Sequence, residues 1–92
     1  MTPQEFDSAL QADGYSAATT VERPTGYSLD EHQHPFDACA LITAGEITLV
    51  VDGQSQTYAV GDIFRLPAGT GHLEHVGSAG VTYLSCRRHA PA

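Results

Sequence analysis

The chain has 92 residues, with 4 basic side chains against 11 acidic ones and a formal net charge of −7. That length allows one domain, with a core small enough to gain from a bound metal or a partner subunit. The acidic balance repels phosphate backbones, which argues against nucleic acid and anionic membranes as partners, and no window approaches the roughly 18 apolar residues of a membrane span.

Residues 2–13 read as a short helix. Thr2 can cap it, Pro3 suits the first turn, and Glu5 completes a Thr-x-x-Glu capping box. Phe6 and Leu10, four apart, mark its apolar face, and Gly14 fits just past its end. Packing, or contact with a second copy, is its expected role. The start of the chain has neither the basic residues nor the apolar run of a secretory signal, so a soluble, cytoplasmic protein is expected.

Residues 15–22 alternate weakly and are rich in Thr and Val, a strand that Pro24-Thr25-Gly26 breaks. In the following stretch His32 and His34 sit two apart, and Pro35 biases His34 toward an extended conformation. An extended chain there puts both imidazoles on one face of one strand, which is half of a metal site. Residues 38–43 are apolar and β-compatible, 44–46 read as a turn, and 47–51 as the next strand. Asp52-Gly53 is the sharpest turn signal, a two-residue hairpin that tolerates positive φ. Residues 55–60 return from it, 61–62 turn again, and 63–66 form a strand. A glycine-rich loop over 67–71 leads to a strand at 72–76, a turn at 77–80 and a last strand at 81–88. His89 and the residues after it read as a frayed tail.

Short strands with glycine at nearly every joint mean an all-β sandwich or barrel. Cys39 and Cys86 form no C-x-x-C pattern and no disulfide framework, so they read as reduced thiols acting as small hydrophobes.

The stretches around His32 and His72 together resemble the cupin family, and within it a small single-domain cupin of conserved-barrel type. Gly26, His32, His34 and Gly45 fall on the first cupin motif; Gly61, Pro67, Gly69 and His72 fall on the second. The resemblance spans roughly residues 26–76. It implies a double-stranded β-helix, a small jelly-roll barrel over residues 15–92, with the helix of residues 1–14 packed on it. It also implies that His32, His34 and His72 hold one divalent transition metal (Fe, Mn, Ni or Zn) from strands facing each other across the interior. The family's glutamate ligand falls on Ala38, which cannot ligate, and its asparagine on Val76.

Two consequences of Ala38 stand side by side. A site of three imidazoles keeps the full charge of the ion and draws anionic ligands more strongly. Alternatively Glu74, two residues after His72 and so on the same side of that strand, supplies the carboxylate or acts as a catalytic base. A buried Glu74 would need the metal, a histidine or Arg65 as partner; a solvated Glu74 would need none. His75, Asp30 and Glu31 read as surface residues and Arg65 as pointing outward. Tyr27, Phe36, Tyr58, Phe64 and Tyr83 are candidates for the pocket wall, with Phe36 at its rim.

Three functions follow. The first is a metal-dependent enzyme of dioxygenase or isomerase type acting on a small organic molecule. The second is a non-catalytic small-molecule sensor or binding module, and the third a degenerate, metal-free structural cupin. Loss of the glutamate favours the last two; retention of three histidines opposes the last. A homodimer is expected, because exposed jelly-roll edges need covering.

Overall fold

A computed structural model of the chain describes residues 1–89. Helix α1 spans Pro3–Ala12. Glu5 N–H donates to Thr2 Oγ1 at 3.1 Å and Thr2 N–H to Glu5 Oε1 at 2.8 Å, which closes the capping box read from the sequence. Asp13 caps the other end, and Gly14 follows with φ of +86°.

Six strands follow: β1 (Thr19–Arg23), β2 (Ser28–His32), β3 (Phe36–Val51), β4 (Gln54–Ala59), β5 (Ile63–Leu66) and β6 (His72–His89). The long strands β3 and β6 pair antiparallel from Phe36 opposite His89 to Val50 opposite Leu73. The first half of β3 also pairs with β5 and its second half with β4. The first half of β6 pairs with β2 and its last half with β1. Two four-stranded halves, β1-β6-β3-β5 and β2-β6-β3-β4, therefore share the same two long strands, which makes the all-β jelly-roll barrel. Among the described residues no helix is long and apolar enough to cross a membrane.

The turns expected at 44–46 and 77–80 are not chain reversals. Both long strands run straight through them, and the β3–β6 register shifts between Ile42 and Ala44 and again between Gly45 and Ile47. Bulges bend a strand without breaking its ladder, so one strand can serve both halves. Gly45 and Gly80 both hold φ of +70°, and a Cβ at Gly45 would overlap the Gly80 carbonyl oxygen. The hairpin at Asp52 and Gly53, with φ of +51° and +76°, forms as expected.

Strand β1 begins four residues later than the sequence suggests, because Tyr15 turns into the cluster beneath α1. Ser16 still extends that edge: its N–H donates to Arg87 O at 2.8 Å and its Oγ accepts from Arg87 N–H at 3.1 Å. His89 is the last residue of β6 rather than a frayed tail. The remainder of the expected tail lies outside the described residues.

Strand alternation divides the apolar residues between two clusters. Ala40 and Ile42 point between the halves and meet Ile47, Leu49, Phe64, Leu66, Val76 and Val81. Cys39 and Leu41 point the other way, against Phe6, Leu10, Tyr15 and Cys86. Helix α1 thus covers the outer side of one half. Cys39 and Cys86 stand opposite each other in the ladder as free, fully buried thiols, and burial pushes both up from their ordinary pKa.

Candidate metal centre

His32 closes β2, His72 opens β6, and the two are direct partners in the antiparallel ladder. Their strands are hydrogen-bonded neighbours, not walls facing across the interior as expected. His34 lies two residues beyond β2, outside any strand, in the segment that Pro35 restricts. Its carbonyl accepts from Gly69 N–H at 2.9 Å, which ties the first histidine segment to the loop that delivers His72. The three rings come together: centroids are 4.2 Å apart for His32 and His72, 5.0 Å for His32 and His34, and 5.4 Å for His34 and His72.

Glu74 follows His72 at the two-residue period of β6 and enters the same space, with its side chain only 12% exposed. Of its two open orientations, the structure shows the inward one. One ligand atom from each of His32, His34, His72 and Glu74 falls within a cluster 4.8 Å across.

The outer hydrogen bonds orient these rings. His32 Nδ1 lies 2.8 Å from Asp30 O, and His72 Nδ1 lies 3.1 Å from Thr70 O. A carbonyl only accepts, so Nδ1 carries a proton in both rings and Nε2 of each turns inward, that of His72 within hydrogen-bond reach of Glu74. There Glu74 Oε2 lies 3.0 Å from His32 Nε2 and 3.3 Å from His72 Nε2. His32 Nε2 is buried yet has no hydrogen-bond partner, because its approach to Glu74 is close in distance but wrong in angle. Lone pairs converging in this way repel one another unless a cation sits among them or an imidazole takes a second proton.

The donor set fits a divalent transition ion, since imidazole and carboxylate suit Fe, Mn, Ni and Zn. Bonds of about 2.0–2.2 Å keep ligand atoms within roughly 4.4 Å of each other, so the cluster need contract by only a few tenths of an ångström. His34 is held below the usual imidazole pKa, first by burial and then by His32 and His72 beside it. That keeps it neutral, as a ligand must be.

A cavity of about 140 Å³ opens in front of the cluster. Tyr27, Phe36, Phe64 and Tyr83 contribute to its wall, as does Ala38. Phe36 is at the position expected for the rim, with its ring stacked on His34 at 4.9 Å. Tyr58 does not line this cavity; it packs against Phe64 at 5.6 Å instead. Arg65, His75, Asp30 and Glu31 are exposed, and Val76 is buried in the core. Among the wall residues not anticipated from the sequence are two cations, Arg23 and Arg87. Their signal was alternation, since Tyr83, Ser85 and Arg87 occupy every second position of β6 and all three line the cavity.

The loop leading to His72 is braced from behind. Asp37 accepts from Ala68 N–H at 2.9 Å and from Arg88 Nε and Nη2 at 3.2 and 3.1 Å. These bonds, the backbone one first, hold the Asp37 carboxyl below its ordinary pKa. Arg88 Nη1 also donates to Asp13 O and Oδ2, so one guanidinium joins β6, β3 and the end of α1.

The Cupin domain family profile matches residues 19–84. No curated protein matches the chain. Among solved structures, a cupin superfamily protein of Desulfitobacterium hafniense is similar at 22% identity and a TM-score of 0.70, over 80% of this chain and 67% of that one. The DMSP lyase DddQ of Ruegeria pomeroyi is 29% identical with a TM-score of 0.70, over 78% of this chain but only 37% of its own length. A protein of unknown function from Rhizobium leguminosarum is 16% identical with a TM-score of 0.72, over 92% of both chains.

Proposed function

The chain belongs to the cupin family, and on that footing we propose that it holds one divalent transition metal through His32, His34, His72 and Glu74 and binds a small organic molecule beside it. The observation that carries this reading is the convergence of one ligand atom from each of these four side chains within 4.8 Å, with His32 Nε2 buried there and without a hydrogen-bond partner. Asp30 O and Thr70 O hold Nδ1 of His32 and His72 and so aim both Nε2 atoms at this point. Glu74 supplies the negative charge that Ala38 cannot, which supports its role as a ligand rather than a free base. An ion at this point would supply Lewis acidity to a molecule taking its open positions.

The cavity favours a molecule of modest size. An apolar cavity of about 150 Å³ accepts benzene, so roughly 140 Å³ suits about six to eight non-hydrogen atoms. Phe36 and Phe64 would exclude water on its apolar side. Burial pushes the Tyr83 phenol up, which keeps its O–H protonated and able to donate.

One observation favours a binding module over an enzyme of dioxygenase or isomerase type. With Glu74 and the three histidines committed to the ion, the described cavity wall retains only the Tyr27, Tyr83 and Ser85 hydroxyls as neutral groups able to move a proton. The test is elemental analysis of untagged protein with a chelator-treated sample in a parallel thermal melt. One equivalent of metal and a chelator-sensitive Tm are expected. The loaded protein is then incubated aerobically with small acids and diketones. Turnover would establish an enzyme, and binding without turnover a sensor; no metal and no chelator effect would overturn the metal reading.

A further inference from the structure

We propose that the molecule bound beside the metal is a short organic dianion, one end of which takes the open metal positions while the other is held by the Arg87 guanidinium. The inference rests on the metal reading and extends it to the class of ligand.

The distribution of positive charge carries it. The chain contains no lysine, and its basic side chains are Arg23, Arg65, Arg87 and Arg88. Arg88 is engaged by Asp13 and Asp37. Arg65 is exposed beside Asp52 and Gln54, away from the cavity. The other two, Arg23 and Arg87, both line the cavity in front of the three histidines. On a chain with net charge −7, half of the cations thus gather at a single mouth, where they attract anions and little else on the surface does.

Arg87 is poised rather than engaged. Its Cζ stands 4.5 Å from the centre of the Phe36 ring, which also stacks on His34 and tilts against His89. It forms no ion pair with any described residue. Stacking on an aromatic face fixes the plane of a guanidinium and leaves its N–H edge free for a carboxylate. Arg87 and the cluster histidine His34 thus both contact the Phe36 ring. Arg23 stands on β1, its Cζ 5.2 Å from the Tyr27 ring centre, and adds a second positive field from the opposite side of β6. The apolar middle of the cavity, with Phe64 and Leu66, suits the methylene carbons between two carboxylates.

The experiment compares succinate with butyrate, which keeps the chain length and removes one carboxylate. Both are titrated calorimetrically into Co(II)-loaded protein, and visible absorption of the cobalt reports on the site. Succinate is expected to bind at least tenfold more tightly than butyrate. Arg87→Gln should abolish that preference while cobalt content and spectrum stay as in the parent, and Arg65→Gln should preserve it. Equal affinity for both acids, no binding of either, or an unchanged preference in Arg87→Gln would overturn the proposal with the metal site intact. Failure of the parent to retain cobalt would instead overturn the metal reading, and this inference with it.

Discussion

Ala38 and Glu74 face the same cavity from different halves of the barrel, Ala38 from the first half of β3 and Glu74 from the first half of β6. One is the position where the family carries its acidic ligand; the other carries the carboxylate that reaches the histidines. Glu74→Gln is expected to weaken zinc binding at least tenfold, because a neutral amide replaces the anionic oxygen that faces two imidazoles. Adding Ala38→Glu to that variant should recover most of the loss. Competition calorimetry with zinc reads both, and the absence of rescue would mean that a side chain at position 38 cannot reach the ion.

His72 is the most deeply buried of the cluster, with 1% of its surface exposed. His72→Ala should lose the bound metal on dialysis and show a Tm indifferent to chelator. In the parent the Tm should fall on chelation, since an ion bound to the folded state alone stabilises it by mass action. Equal metal content in variant and parent, measured by elemental analysis, would remove His72 from the ligand set.

The bulge glycine Gly45 and the hairpin glycine Gly53 offer a test of the fold. At Gly45 a new Cβ meets the Gly80 carbonyl oxygen, and the residue also holds a positive φ. At Gly53 the φ is equally positive, but nothing stands within 4 Å. Gly53→Ala should therefore show only the left-handed backbone penalty, about 1 kcal/mol, and Gly45→Ala about 3 kcal/mol or more. Urea titration of both variants measures the difference; equal costs would mean that the strands part freely at the bulge.

Asp37 gives the stability a defined acid dependence. Its carboxyl is held below its ordinary value in the folded protein by Ala68 N–H and Arg88. The unfolded chain therefore takes up the proton first as pH falls. The contribution of Asp37 is full above the unfolded value near 4 and is lost as pH drops through the lower folded value. Asp37→Asn should lower the Tm at pH 6 and flatten its decline below about pH 4. A parallel acid decline in both proteins would show that Asp37 is not part of it.

The sequence carried the fold, and it named the three histidines that the fold brings together, because both rest on local signals. The capping box of α1, the hairpin at Asp52 and Gly53, and the histidines at 32, 34 and 72 are each readable within a few residues. What was not readable depends on register. A glycine announces positive φ but not whether the chain reverses there, so Gly45 and Gly80 read as turns when they are bends inside long strands. The side of Glu74 follows the period of β6, but its meeting with His32 follows the pairing of β2 with β6, which no local pattern contains. The adjacent residues Arg87 and Arg88 look alike in sequence, yet alternation sends one to the cavity and the other to a structural clasp with Asp13 and Asp37.

The sharing of β3 and β6 by both halves sets how a molecule can enter. A clamp that opens by swinging two bodies apart needs a hinge with few hydrogen bonds across it. Here the halves are joined by two continuous strands paired with each other from end to end, so separating them would mean breaking the ladder that defines the fold. Admission would be local, through rotation of exposed side chains at the cavity mouth such as Arg87. Exchange should then run at the pace of rotamer changes rather than of a lid, and the barrel's shape should be the same empty or filled.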